Sequence, residues 1–204
     1  MKSSIFIPTM RLGFATIAVA IWALSPAVVS PRCAIELHNA FPSFVIEAEA
    51  SMSLKISSPS FTNGGNIVKK FTCDGEDLSP QLSWSEPPAA TKTFALLVDD
   101  PDAPVGNWNH WAMWNVPATA RGIAEGLRKN AELSDGSQQG HNDFRKTGYD
   151  GPCPPAGKPH RYYFKLFALD TKLDLKPGAT KKELEAAMKG HVLAQAEWMG
   201  RYGR

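Results

Sequence analysis

Five side chains with hydrogen-bonding chemistry stand near the ends of apolar segments: Asp100, Asp102, His110, His160 and Tyr162. Imidazoles and a phenol can donate hydrogen bonds, and a loop rich in glycine and proline can direct backbone N–H groups inward. Together these groups suit a small anion such as phosphate. Ionised carboxylates would repel that anion, so we expect the aspartates to accept bonds from the histidines or to meet a cationic group of the ligand. A zwitterionic ligand would satisfy both signs of charge.

Each of these side chains also has an ordinary structural explanation. An aspartate beside a proline commonly caps a turn, which could account for Asp100 and Asp102. His110 is flanked by tryptophans and could be a satisfied core histidine. Tyr162 could simply pack in a strand. A functional site therefore requires that one end of a sheet bring these side chains together.

The first stretch that must position them is a pair of strands joined by an acidic turn. Phe94–Val98 is a short continuous apolar run, as expected for a strand buried on both faces. It is followed by Asp99–Pro104, where two prolines prevent the strand from continuing. A second strand is predicted from Trp108 to Pro117. Strict alternation along it would place four side chains on one face, namely Trp108, His110, Ala112 and Trp114.

The second stretch lies in the C-terminal half of the chain. The segment Gly151–Pro159 contains four prolines and two glycines, which predict a stiff, irregular loop. His160–Leu169 follows with strong β preference. Alternation places His160, Tyr162, Phe164 and Leu166 on one face. A histidine and a tyrosine are thus expected at the mouth of a strand that begins directly after the loop.

These stretches resemble the phosphatidylethanolamine-binding protein family, also called Raf kinase inhibitor-like proteins, in its bacterial form. The resemblance rests on DPDAP followed by a tryptophan and His110, and on GPCPPAGKPHRYYFKLFALD, with support from CDGEDLSPQLSW, NDF, GYDGP and GHVLAQAE. It covers about residues 54–202, and two separated motifs in the right order make it specific. The segment Val105–Asn109, between the acidic turn and His110, is shorter than the corresponding segment of animal relatives. This difference implies a more open pocket rim.

The resemblance implies a mainly β fold, a β-sandwich with Greek-key antiparallel sheets and few short peripheral helices. It also implies a small pocket for anions and phospholipid headgroups. The family's pocket residues correspond here to Asp100, Asp102, Pro104, His110, Pro155, His160 and Tyr162, and we add Trp108 as an expected residue of the pocket wall. No cofactor, metal ligand or catalytic residue is implied.

The rest of the chain fits this fold. Short strand-like segments occur at Ser53–Ser58 and Gln81–Ser85, separated by turns, which favours an antiparallel sheet. Glycines interrupt every candidate helix in Ala118–Gly140, so this segment is predicted to be a connection with short elements. Thr180 and Glu183 have the spacing of a capping box and predict a helix to about Lys189. A last strand is predicted over Ala194–Tyr202.

The first 50 residues differ from the remainder, and we predict a signal-like leader over residues 1–50 and one domain over residues 51–204. A basic start is followed by Leu12–Leu24, thirteen mostly apolar residues, which is too short for a comfortable membrane span. The mature chain is therefore expected in the periplasm or outside the cell, without a stable membrane span. Alternatively, Met52 is the true start of a cytoplasmic protein. The formal net charge of +2 gives no indication of nucleic acid binding.

The positions of the cysteines also bear on whether the protein is exported. Cys33 lies in the leader, whereas Cys73 and Cys153 lie in loops beside the two motif stretches. If the protein is exported, we expect Cys73 and Cys153 to form a disulfide. Neither lies in a C-x-x-C pair, so a metal site is a poor explanation for them.

Three classes of function fit the sequence. The first is a non-enzymatic protein that binds a phosphate-bearing small molecule or a phospholipid headgroup. The second is a protein-interaction module that inhibits a kinase or protease, and the third is an enzyme. Two histidines and two carboxylates could serve as acid and base, but the chain has no nucleophile elbow, H-E-x-x-H, P-loop or dinucleotide fingerprint. The binding protein is the favoured prediction.

Overall fold

The computed structural model describes residues 53–204. The predicted leader over residues 1–50, with Cys33, lies outside the described residues, as does the alternative start at Met52. No helix within the described part is both long and apolar enough to cross a bilayer.

Two β-sheets form the framework. The nine strands of residues 53–204 are β1 (Ile56–Ser57), β2 (Leu82–Trp84), β3 (Thr93–Asp100), β4 (Trp108–Pro117), β5 (Gly122–Ile123), β6 (Gln138–His141), β7 (His160–Leu169), β8 (Gly178–Thr180) and β9 (Val192–Tyr202). The small sheet has the order β1-β2-β5 and the large one the order β8-β6-β4-β3-β7-β9. All pairings are antiparallel except β6 with β8. The mainly β sandwich implied by the resemblance is confirmed.

The large sheet has an apolar core on each face. On one face it packs against the small sheet, with Trp84 5.3 Å from Phe94 between ring centroids. On the other face Leu97 and Trp114 pack with Leu184 and other residues near the single α-helix of the described chain, α1 (Lys181–Met188). All eight residues of β3 are buried, which confirms the prediction from its continuous apolar run.

The ends of α1 and β9 follow the sequence signals closely. Thr180 caps α1: its side chain accepts from the backbone N–H of Glu183, and the Glu183 carboxylate accepts from the backbone N–H of Thr180. This is the predicted capping box. β9 begins two residues earlier than expected and ends at the predicted Tyr202. The predicted connection over Ala118–Gly140 contains the two short strands β5 and β6.

A β-bulge in β4 changes which way His110 faces. Val98 pairs with Trp111 and Asp99 pairs with Asn109, so His110 is an extra residue without a partner on β3. The prediction that His110 shares a face with Ala112 and Trp114 is therefore wrong. Ala112 and Trp114 pack on the helix side, whereas His110 faces the small-sheet side and contacts Tyr162.

Candidate functional site

A cavity of about 210 Å³ opens at one end of the large sheet, where β3 ends and β4 and β7 begin. The acidic turn, the start of two strands and the proline-rich loop all contribute to its wall. The lining residues are Asp100, Ala103, Pro104, Val105, Trp108, His110, Phe144, Cys153, Pro154, Pro155 and His160. Six of the eight predicted site residues are therefore brought together, and Asp102 and Tyr162 are not among the lining residues.

Asp100 and His160 form a buried pair in this wall. The Nδ1 of His160 lies 2.8 Å from Asp100 Oδ2. Because an ionised carboxylate only accepts hydrogen bonds, Nδ1 carries the hydrogen and donates. The other oxygen of Asp100 accepts from the backbone N–H of Asp102 at 2.9 Å. Asp100 thus closes its own turn and orients His160, which are the two roles proposed for an aspartate at this place.

His110 is held in the same way by a backbone group. Its Nδ1 lies 2.7 Å from the carbonyl oxygen of Asp150, which can only accept, so Nδ1–H is again the donor. Burial lowers the pKa of His110 below its usual value, although the hydrogen bond to Asp150 opposes this effect. A neutral ring with Nδ1–H leaves Nε2 as an acceptor. His110 therefore presents an acceptor, not a donor, to a ligand.

Two buried donors near the cavity have no hydrogen-bond partner within residues 53–204: Trp108 Nε1 and the Tyr162 hydroxyl. The Tyr162 ring packs edge-on against His110, with 5.2 Å between centroids. Burial and the nearby Asp100 carboxylate raise the pKa of Tyr162, so its hydroxyl keeps its proton at neutral pH. Most buried polar groups in folded proteins are hydrogen-bonded, so two unpartnered donors near one cavity call for a functional or structural explanation, such as a bound polar group.

Asp102 lies at the rim and is engaged elsewhere. Both of its oxygens accept bonds from the Arg161 side chain, at 2.9 Å from Nε and 2.7 Å from Nη2. Hydrogen bonds from Arg161 lower the pKa of Asp102 to about 2. The prediction that Asp102 contributes to ligand binding thus stays a prediction, and the structure places it outside the cavity wall.

The proline-rich loop forms one side of the cavity and is fixed at its base. Cys73 and Cys153 form the expected disulfide, with their Cα atoms 5.4 Å apart. The backbone N–H of Cys73 also donates to the carbonyl of Pro152 at 3.1 Å. Pro154 and Pro155 have no N–H to pair, so the bridge next to them tethers this part of the wall.

Sequence reasoning missed an aromatic residue of the wall. Phe144 packs edge-on against both His110 and Trp108, with centroids 5.2 and 5.4 Å away. It follows β6 in a turn where Asn142 Nδ2 donates to Asp150 Oδ2 at 2.6 Å. The NDF stretch that supports the resemblance contains both residues, so it was the signal that could have indicated Phe144 as a wall residue.

A larger groove, of about 740 Å³, lies between β9 and α1 on the helix side of the large sheet. Its buried carboxylate, Asp99, is already paired with Lys165 at 3.2 Å and Lys181 at 2.8 Å. Its buried charge is therefore already satisfied. The smaller cavity has the unpartnered Trp108 Nε1 in its wall and both oriented histidines, so it is the better candidate site.

The small cavity presents groups that can form hydrogen bonds to a polar ligand. It offers the ring acceptor of His110, the imidazole of His160, nearby O–H and N–H donors, and apolar walls. No cluster of three His, Cys, Asp or Glu side chains suited to a metal ion occurs in residues 53–204. A small ligand group that both donates and accepts hydrogen bonds would match these donors and acceptors.

Comparison with known proteins gives a consistent result. A family model described as phosphatidylethanolamine-binding protein matches residues 57–203. A UPF0098 protein of Methanothermobacter thermautotrophicus is 48% identical over 151 residues, which is 74% of this chain and 99% of that protein. Another UPF0098 protein, from Aquifex aeolicus, is 45% identical over 170 residues, or 82% of this chain and 99% of that protein.

Two solved structures share the fold. The phosphatidylethanolamine-binding protein homologue CT736 of Chlamydia trachomatis has a TM-score of 0.69 and 39% identity, covering 74% of this chain and 98% of that chain. E. coli YbcL, described as a new member of the mammalian PEBP family, has a TM-score of 0.70 and 34% identity, covering 74% of this chain and 99% of that chain. The sequence motifs, the sandwich with its cavity and these matches together show that the chain belongs to the phosphatidylethanolamine-binding protein family.

Proposed function

We propose that this protein is a non-enzymatic binding protein whose small cavity takes the phosphate group of a ligand such as the headgroup of phosphatidylethanolamine. The observation that carries the proposal is the combination of two oriented histidines and the unpartnered Trp108 Nε1 in the wall of one cavity, with the unpartnered Tyr162 hydroxyl in the layer behind His110. Phosphate oxygens can accept from the donors, and a ring Nε2 can accept from the ammonium group of ethanolamine or from the protonated phosphate oxygen of a monoester. The family name supports the ligand class.

The size of the cavity supports a headgroup rather than a whole lipid. Its volume of about 210 Å³ is smaller than the roughly 300–1,000 Å³ of pockets for drug-sized ligands. Acyl chains would have to remain outside. The mixture of Asp100 with donors also fits a zwitterion, in which the amine of ethanolamine offsets the carboxylate.

The test is an NMR titration of the purified protein with phosphate, phosphoethanolamine and a short-chain phosphatidylethanolamine, following the ring signals of the histidines. We expect saturable shifts confined to His110, His160 and their surroundings. His110→Ala and His160→Ala should each weaken phosphoethanolamine binding about tenfold or more, because a hydrogen bond to a charged group contributes roughly 1.5–3 kcal/mol.

The matched control is His191→Ala. His191 pairs with Asp170 beyond the far end of β7, away from the cavity, and its loss should leave binding unchanged. Backbone NMR spectra would establish that each variant is folded. If the double variant His110→Ala with His160→Ala bound phosphoethanolamine as well as the parent protein, the pocket would be rejected, and a module that inhibits a kinase or protease would become the better hypothesis.

A further inference from the structure

The cavity continues into a groove of different character. A second cavity, of about 290 Å³, shares Pro155 and His160 with the first and is also lined by Asp102 and Lys158. A third, of about 520 Å³, shares Asp102 and Lys158 with the second and extends to Arg161 and Arg201. We call the second and third cavities the basic groove. It starts at His160 and runs over the outer side of the loop.

The groove has an excess of positive charge. Its one carboxylate, Asp102, is neutralised by the two-pronged pairing with Arg161. Lys158 and Arg201 are exposed and take part in no ion pair within residues 53–204. Their two charges are therefore available to a ligand.

The first cavity, by contrast, offers no cation of this kind. No lysine or arginine is among its lining residues, and its one carboxylate, Asp100, is negative. A phosphate bound there has hydrogen bonds but little compensation for its charge. An unpaired positive charge, that of Lys158, lines the adjoining part of the groove. A ligand that places a second anionic group in the groove would use this charge.

We propose that the protein selects phosphate ligands that carry a second anionic group beside the phosphate, with the phosphate in the cavity and the second group in the basic groove next to Lys158 and Arg201. This inference rests on the proposed function, because it assigns the phosphate to the cavity. The shared chemistry is that of phosphoserine, which could be met as a free metabolite or as the headgroup of a lipid.

Phosphoserine and phosphoethanolamine provide a matched pair of probes. They differ only by the carboxylate that phosphoserine carries. By calorimetry at low salt we expect phosphoserine to bind roughly tenfold more tightly, as two cations within several ångströms of a carboxylate would predict. The preference should shrink as salt screens the exposed charges.

Charge-removing variants locate the effect. Lys158→Ala and Arg201→Ala should each reduce the preference for phosphoserine over phosphoethanolamine severalfold, with a much smaller change in phosphoethanolamine affinity. Lys172→Ala removes the same charge from an exposed position beyond the other end of β7 and serves as the control. Circular dichroism would verify that the variants are folded.

The outcomes separate this inference from the proposed function. Equal affinity for the two probes, or a preference that survives in the Lys158→Ala, Arg201→Ala double variant, would overturn the inference and leave the phosphate pocket standing. Failure of both probes to bind would reject the pocket itself.

Parallel titrations with glycerophosphoserine and glycerophosphoethanolamine distinguish the two sources of the ligand. A preference for the serine compound that is retained in these diesters supports a lipid headgroup, and a preference confined to the monoesters supports a free metabolite.

Discussion

Both pocket histidines use their Nδ1 hydrogens within the protein. His160 donates to Asp100 and His110 donates to the carbonyl of Asp150. From sequence, neutral imidazoles were expected to be donors to the anion. The structure changes this expectation for His110, because the partner that orients the ring also decides which nitrogen remains for the ligand. Sequence shows that a histidine is present but not which nitrogen is already engaged.

A pH dependence follows from this arrangement. An unprotonated Nε2 favours a phosphate that still carries one proton, and the second pKa of a phosphomonoester is about 6. We therefore expect the dissociation constant of phosphoethanolamine to rise between pH 7 and pH 8, approaching tenfold per pH unit. Calorimetric titrations at pH 6, 7 and 8 would measure this change in the dissociation constant.

Glycerophosphoethanolamine is the control for this prediction, since a diester has no proton to lose in that range. Its affinity should stay nearly constant. Monoester binding that was tighter at pH 8 than at pH 6 would contradict the proton assignment. A matching pH dependence for the diester would place the titrating proton on a histidine instead.

At the scale of elements, most strands and the helix could be predicted from the sequence because their signals are local. The apolar run of β3, the alternation in β7 and the Thr180–Glu183 spacing each act within ten residues. The bulge at His110 could not be predicted in this way. It is a mismatch between β3 and β4, so it depends on the register of two strands and not on the pattern of either.

The site was predictable to a similar extent. Residues at strand ends, such as Asp100 and His160, were placed correctly at one sheet end. Asp102 could not be distinguished from Asp100 by sequence, because its position at the rim is set by Arg161, which lies 59 residues further along the chain. Lys158 and Arg201 gave no signal, since an isolated cation in a loop or strand is usually just a solvated side chain.

The capping box of α1 gives a prediction that belongs to this scale. Thr180→Ala removes the hydroxyl that accepts from Glu183 and is expected to lower the free energy of unfolding by about 1 kcal/mol. Phosphate binding should not change, because α1 packs on the other face of the large sheet. Urea unfolding combined with a phosphoethanolamine titration would measure both quantities.

Lys182→Ala, on the exposed side of the same helix, is the control and should change stability by less than about 0.5 kcal/mol. Equal losses in the two variants would show that the cap contributes nothing of its own.

At the scale of the whole molecule, the Cys73–Cys153 disulfide connects two segments that are distant in the sequence. It joins residues 80 apart in the sequence, from the loop before β2 to the loop before β7. In the chain-entropy model a closed loop of this size stabilises the fold by on the order of 4 kcal/mol. Cys73→Ser with Cys153→Ser should lose much of this amount, as measured by urea unfolding.

Unfolding of the parent protein with and without reductant provides the control. Reduction should lower its stability to that of the double variant, and an unchanged unfolding midpoint would contradict the predicted contribution. Such bridges persist in oxidising compartments, which supports our proposal that the protein works in the periplasm or outside the cell. Mass spectrometry of protein from its natural host should find the linked peptide, whereas free thiols on both cysteines would favour the cytoplasm.

The central position of β3 has a consequence for how the chain is made. β3 pairs with β4 on one side and with β7 on the other, and the strands do not emerge together. Synthesis proceeds from the N-terminus, so β3 and β4 exist while residues 118–159 are still being added. During that interval Phe94–Val98 has an open strand edge of apolar residues, which is the kind of segment that starts aggregation. When β7 pairs with β3, it covers this edge and brings His160 to Asp100. A chain that can bind its ligand is therefore one in which this aggregation-prone segment is already covered.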